Sequence, residues 1–151
     1  MRDFAGLPHR LQRVREHRGV HYYNDSIATI PESAIAALES FPPKRVIQIV
    51  GGYDHHLPIT GMCAALTERA KAVLCIGASG DQIADTLAES AHNAAAAVYR
   101  CGDLATAVSL SHRIATPGDI VLLSTGYKSY DQFANFEQRG DAFMSLVRAL
   151  A

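Results

Sequence analysis

The chain has no G-x-x-x-x-G-K-[ST] loop, the element whose backbone amides and lysine cradle nucleotide phosphates, so it carries no ATPase centre of that kind. It has no basic block either. Its 14 lysines and arginines stand against 15 acids, for a net charge of −1. A nucleic-acid partner needs a basic patch to meet the phosphate backbone, and none is expected. The richest basic run, His9 to Arg18, is diluted by Glu16 and apolar residues and reads as a solvated edge. No apolar run is long enough to cross a bilayer, and the N-terminal MRDFAGLPHR lacks the apolar core of a secretory signal. Cys63, Cys75 and Cys101 are odd in number and without C-x-x-C spacing. That argues against a disulfide framework or zinc ribbon and predicts reduced, mostly buried thiols. These absences together predict a cytoplasmic protein with no membrane partner. G-x-G-x-x-G, H-E-x-x-H and G-x-S-x-G are missing as well, against dinucleotide, zinc-protease and serine-hydrolase sites.

What is present is a globular alternation of strands and helices. With 151 residues and 48% hydrophobic content, one domain with one core is expected. Leu11 to Glu16 alternates, Arg18-Gly19 turns, and Val20 to Tyr23 is rich in β-formers, which predicts a two-stranded hairpin. Thr29-x-x-Glu32 forms a capping box with Pro31 near the first helical position, opening a helix that stops before Pro42-Pro43. Short apolar strands follow at Val46–Val50, Ala72–Ile76, Ala97–Tyr99 and Ile120–Leu123. Between and after them, helices are expected over 59–70, 80–90, 104–115 and 135–150, the last with Phe136, Phe143, Leu146, Val147 and Leu150 on its apolar face. Strands apolar almost throughout are buried on both faces, and crossovers of this length make them parallel. The fold class is α/β: a Rossmann-like, open, mostly parallel sheet with helices on both faces, preceded by a short β-hairpin.

In such a sheet ligands bind beyond the carboxyl ends of the strands. Three loops there carry unusual residues: Gly51-Gly52-Tyr53-Asp54-His55-His56, Gly77-Ala78-Ser79-Gly80 and Ser124-Thr125-Gly126-Tyr127-Lys128-Ser129. Each can present backbone amides beside a helix N-terminus, which suits a carboxylate or phosphate. Plainer explanations exist for several residues. Gly77 to Gly80 suits a tight strand-to-helix turn. His55-His56 suits an exposed loop rather than a metal site, since adjacent side chains diverge. His17, His21, His92 and His112 show no grouping, and Phe133 and Phe136 suit packing of the last helix on the sheet.

GLPHR at Gly6–Arg10, NDSIAT at Asn24–Thr29, the Gly51-Gly52 loop and SYDQFANFEQRG at Ser129–Gly140 stand in an order and spacing that resembles the C-terminal domain of Mur ligases, in the branch that adds D-glutamate. The resemblance covers essentially the whole chain. It implies a single domain, 1–151, whose parent enzyme also has an N-terminal UDP-sugar domain and a central ATPase domain. It implies an ATP-dependent ligation with magnesium, in which the L-alanine carboxylate of UDP-N-acetylmuramoyl-L-alanine is activated as an acyl phosphate. The D-glutamate amine then attacks it to form an amide, a step of peptidoglycan synthesis. This chain alone is expected to be inactive, with no catalytic residue of its own.

Carried over by the resemblance, Arg10, Asn24 and Asp25 lie on the nucleotide side. Thr29, Ser129 and the backbone of Tyr130 meet the D-glutamate side-chain carboxylate, and Phe136 lines its pocket. The chain departs from the family at chemically important positions. The family usually has lysine where Ile27 and His55 stand, and often S-P-A-C-A-S where this chain has Ser124 to Ser129. The expectation is that Lys128, His55 or His56 restores the missing cation, because a desolvated carboxylate without a counter-charge is expensive. An altered amino-acid specificity, or a stand-alone binding module without catalysis, are the alternatives.

Overall fold

The computed structural model describes residues 7–53, 56–89 and 96–151. Two strands open the chain, β1 (Gln12–His17) and β2 (Val20–Asn24), paired antiparallel with His17 opposite Val20. The two-residue turn between them puts Arg18 at φ 55° and Gly19 at φ 80°. Positive φ at both central residues gives the twist that closes a tight hairpin. Then come α1 (Pro31–Glu39), β3 (Val46–Val50), α2 (Thr60–Arg69), β4 (Ala70–Ile76), α3 (Gly80–Glu89), β5 (Ala97–Gly102), α4 (Leu104–Ile114), β6 (Ile120–Leu123) and α5 (Phe136–Arg148). The sheet order is β1-β2-β6-β3-β4-β5, and every pairing except β1 with β2 is parallel.

The hairpin is thus not an appendage before the sheet. Its second strand runs parallel to β6 and is itself part of the sheet. Period-two alternation divides the core. Val46, Val50, Val73, Cys75 and Leu122 face one side with α1, α2 and α3, through residues such as Leu38, Met62, Leu66 and Ile83. Ile47, Ile49, Leu74, Val121 and Leu123 face the other with α4 and α5, through Leu104, Val108, Phe143 and Val147. Burial on both faces is what makes the central strands read as apolar runs. β5, at the edge, is only partly buried.

Three local expectations change. Ile30, not Thr29, caps α1, and no side chain bonds to that end. Pro31 is the first helical residue, so the cap falls one position later than the capping box places it and Thr29 is released from the helix. The basic run is not simply a solvated edge. Arg15 donates from Nη1 to the carbonyls of Val147 (2.9 Å), Arg148 (3.3 Å) and Leu150 (3.3 Å), closing the C-terminus of α5, where a cation is favoured. His17 is grouped after all, its ring 5.3 Å from that of His112. The cysteines are free, as expected, and burial pushes the Cys63 thiol up to about 11 and the Cys75 thiol up to about 12.

No helix among the described residues is long and apolar enough to cross a membrane. The parallel strands all end at one rim. There Gly51 amide donates to the Thr125 carbonyl (3.1 Å) and Ser79 exchanges hydrogen bonds with both backbone groups of Gly52 (3.0 Å each). Gly51 has φ 107°, and a Cβ on it would sit 2.1 Å from the Ile76 carbonyl oxygen, so only glycine fits between β3 and β4 here. Gly77 to Gly80 is the tight strand-to-helix turn its sequence suggests, tied back to Gly52.

Candidate functional site

Two cavities open on this rim, on either side of the loop after β2. The first, of about 290 Å³, is lined by Arg10, Leu11, Asp25, Ile27, Ala28 and residues of α1. Asp25 follows β2 directly, and its amide extends the sheet by donating to the Leu123 carbonyl at 2.7 Å. Its carboxylate accepts from the Leu11 amide (3.0 Å) and from Ser124 Oγ (2.7 Å). Burial pushes the Asp25 carboxyl above its ordinary pKa, while those two hydrogen bonds and the Arg10 charge oppose the rise. Asn24, beside it, is 0% exposed. Its Oδ1 accepts from the Ser26 amide (3.0 Å) and its Nδ2 is bonded to His9 Nδ1 (2.9 Å), so its side chain shapes the loop from within.

The second cavity, of about 310 Å³, is lined by Thr29, Lys128, Ser129, Tyr130, Asn135, Phe136 and Glu137. Its walls are the end of the loop after β2, the loop after β6, and the first turn of α5. Asn135 caps that helix, its Oδ1 accepting from the Gln138 amide at 2.8 Å, and the helix N-terminus lends positive potential. The Lys128 carbonyl accepts from the Tyr53 amide at 2.8 Å, which pins the wall to the loop after β3. Tyr130 is 60% exposed and meets Tyr53 edge-on, ring centres 6.0 Å apart. Phe136 does not join the core as helical periodicity alone suggests. It borders the cavity, edge-on to the His9 ring at 5.9 Å.

Ser129 is the unusual member. It is 2% exposed, and its Oγ is buried with no hydrogen-bond partner. Buried hydroxyls are normally paired, because an unpaired one costs about 1–3 kcal/mol. Among the described residues bordering this cavity, Lys128 is the cation and Glu137 the carboxylate.

The sequence-derived candidates therefore separate into two groups. Thr29, Lys128, Ser129, Tyr130 and Phe136 meet at the second cavity, and Arg10 and Asp25 at the first. Asn24 is interior. Ile27, where the family usually has lysine, borders the first cavity rather than the second. His55 lies outside the described residues, and His56 is exposed. Sequence reasoning missed Arg139 and Ser26. Arg139 is 1% exposed and donates to Ser26 Oγ (2.9 Å), the Ser26 carbonyl (2.7 Å) and the Tyr127 carbonyl (2.9 Å). The available signal was its register: positions 139, 143 and 147 share one stripe of α5, and an arginine on a stripe with Phe143 and Val147 has a buried task.

The family model described as Mur ligase, glutamate ligase domain matches residues 9–125. The UDP-N-acetylmuramoylalanine–D-glutamate ligase of Myxococcus xanthus is 46% identical over 147 residues, covering 97% of this chain and 31% of that protein. Its counterpart from Acetivibrio thermocellus is 38% identical over 151 residues, covering 97% and 32%. The chain spans about a third of the length of these relatives. The fold is shared with the MurF ligase of Thermotoga maritima, solved in complex with ADP, at a TM-score of 0.59 and 18% identity, covering 98% of this chain and 33% of that one. With the family matched over most of its length and the architecture found in a solved member, this chain belongs to the Mur ligase family, as its C-terminal, glutamate ligase domain.

Proposed function

We propose that the second cavity holds D-glutamate, and that the chain is the amino-acid-binding domain of an ATP-dependent ligase that joins D-glutamate to UDP-N-acetylmuramoyl-L-alanine in cytoplasmic peptidoglycan synthesis. The observation that carries this is the unpartnered Ser129 Oγ in the wall of a cavity that also offers the Thr29 hydroxyl and the Lys128 ammonium. A carboxylate accepts from all three. The α5 N-terminus adds to its stabilisation, and Phe136 packs the aliphatic part of the ligand. Lys128 supplies the positive charge that the family places at positions 27 and 55. It borders the second cavity, whereas Ile27 borders the first. The domain's contribution to chemistry is to hold the amine against the acyl group and to keep water away, since binding of two reactants in one geometry lowers the entropic barrier to their joining.

The nucleotide fits this chain along one edge only. Asp25 offers a carboxylate to ribose hydroxyls and Arg10 a guanidinium to phosphate at the first cavity. The chain has no phosphate-cradling loop, and the described residues contain no group of three or more His, Cys, Asp or Glu side chains that could hold a metal ion. The family resemblance assigns magnesium and most contacts to the ATP phosphates to domains outside this chain. ATP, when bound, supplies the phosphoryl group that turns an unreactive carboxylate into a good electrophile.

The test is phosphate release by the ligase that carries this chain, offered a panel of D- and L-amino acids. D-glutamate-dependent turnover, with the KM for D-glutamate raised by Lys128→Ala, is the expected result. Turnover with another amino acid instead would favour the one rival that has an observation behind it. That rival is an altered specificity set by Lys128, at a position where the family reads alanine.

A further inference from the structure

We propose that Arg139 is a positioning residue that holds both cavities in their binding geometry at once; this rests on the functional reading above. Its three hydrogen bonds end on two segments. Nε and Nη2 grip Ser26, one residue after Asp25 of the first cavity and three before Thr29 of the second. Nη1 grips Tyr127, immediately before Lys128 and Ser129. Ser26 Oγ carries the connection onward by donating to the Phe136 carbonyl at 2.7 Å. One planar group thus ties the loop after β2, which borders both cavities, to the loop after β6 and the first turn of α5, which border the second.

The chemistry needs arginine. Three acceptors at two loops are met by the rigid fork of a guanidinium, whereas a lysine ammonium is a single point on a flexible stem. None of these acceptors is a carboxylate. Burial pulls the Arg139 pKa down to about 10, with the Asp131 charge opposing it. Well-packed apolar replacements of buried charged groups are often neutral or stabilising, so burial of a charge is not by itself a reason to assign it to fold stability. The value of Arg139 lies instead in where it puts the loops. The close approach of the loop after β3 fits this picture: a Cβ on Gly52 would lie 2.4 Å from the Lys128 carbonyl oxygen and 3.5 Å from Arg139 Nη1.

The experiment is titration of the isotopically labelled chain with D-glutamate and, separately, with ADP, followed by NMR. It compares the unaltered protein with Arg139→Lys and Ser26→Ala, with thermal unfolding measured in parallel. The expected result is that Arg139→Lys weakens both ligands by about tenfold or more, because displacement of binding groups by about an ångström costs that much. Ser26→Ala weakens both by a smaller factor. A purely structural role would lower the unfolding temperature yet leave the affinities of the folded protein unchanged, and that overturns the proposal. Loss of one ligand only also overturns it. Should Arg139→Lys fail to fold, Ser26→Ala decides by the same criteria. An unaltered chain that responds to neither ligand overturns the functional reading and this proposal together. Normal binding with unaffected variants removes only the role of Arg139.

Discussion

Replacing Ser129 with alanine should make the protein more stable and a worse binder of D-glutamate. The hydroxyl is buried and unpaired, a condition that costs about 1–3 kcal/mol relative to water. Alanine removes the polar group and breaks no hydrogen bond, at the expense of a void of about one oxygen atom. A net gain of about 1 kcal/mol is expected, or about 2–4 °C in Tm for a chain of this length. When D-glutamate is present the hydroxyl donates to a carboxylate, a bond worth about 1.5–3 kcal/mol, so the variant should bind roughly ten- to a hundredfold more weakly. Urea unfolding with an unchanged m-value reads the first effect, and a D-glutamate titration reads the second. A variant that is less stable, or one that binds D-glutamate as before, refutes the reasoning.

Asp119 should govern stability in acid. It is fully buried and pairs with Lys71 and with Arg45 at 3.5 Å. Burial pushes its pKa up, but Lys71 and the Thr116 hydrogen bonds outweigh that and hold it below the usual 3.8. A depressed carboxylate contributes stability that is full above the unfolded value and lost as pH falls through the folded one. Wild-type stability should therefore drop below about pH 4, while Asp119→Asn shows a shallower pH slope in denaturant titrations. Gly51→Ala, with its Cβ forced against Ile76, should cost more than about 3 kcal/mol and be recovered largely unfolded by circular dichroism. Thiol labelling at pH 8 should modify Cys101, which is only partly buried, well before Cys63 and Cys75, whose pKa values lie at about 11 and 12.

The alternation of strands and helices was legible because burial on both faces leaves a continuous apolar signature in β3, β4 and β6. The Arg18-Gly19 turn was legible from its own chemistry. The pairing of β2 with β6 was not, since Val20 to Tyr23 contains no cue to its second neighbour. Thr29 was misplaced as a cap because Thr-x-x-Glu fits the pattern, while Pro31 fixes the helix start one residue later. Phe136 satisfies the helical period of the core stripe, yet it sits in the first turn, where the helix end projects past the sheet to the rim. The division of candidates between two cavities depends on the folding of the Asp25–Thr29 loop, which Arg139 holds from a distance of more than a hundred residues in sequence. Local pattern contains nothing of that kind, except for the misplaced charge on an apolar stripe.

The most direct measurement is the structure of the chain with D-glutamate bound. The account predicts a carboxylate in the cavity of Thr29, Lys128 and Phe136, accepting hydrogen bonds from Ser129 Oγ and Thr29 Oγ1. Density for the acid beside Arg10 and Asp25, with Ser129 Oγ still unpartnered, would contradict it.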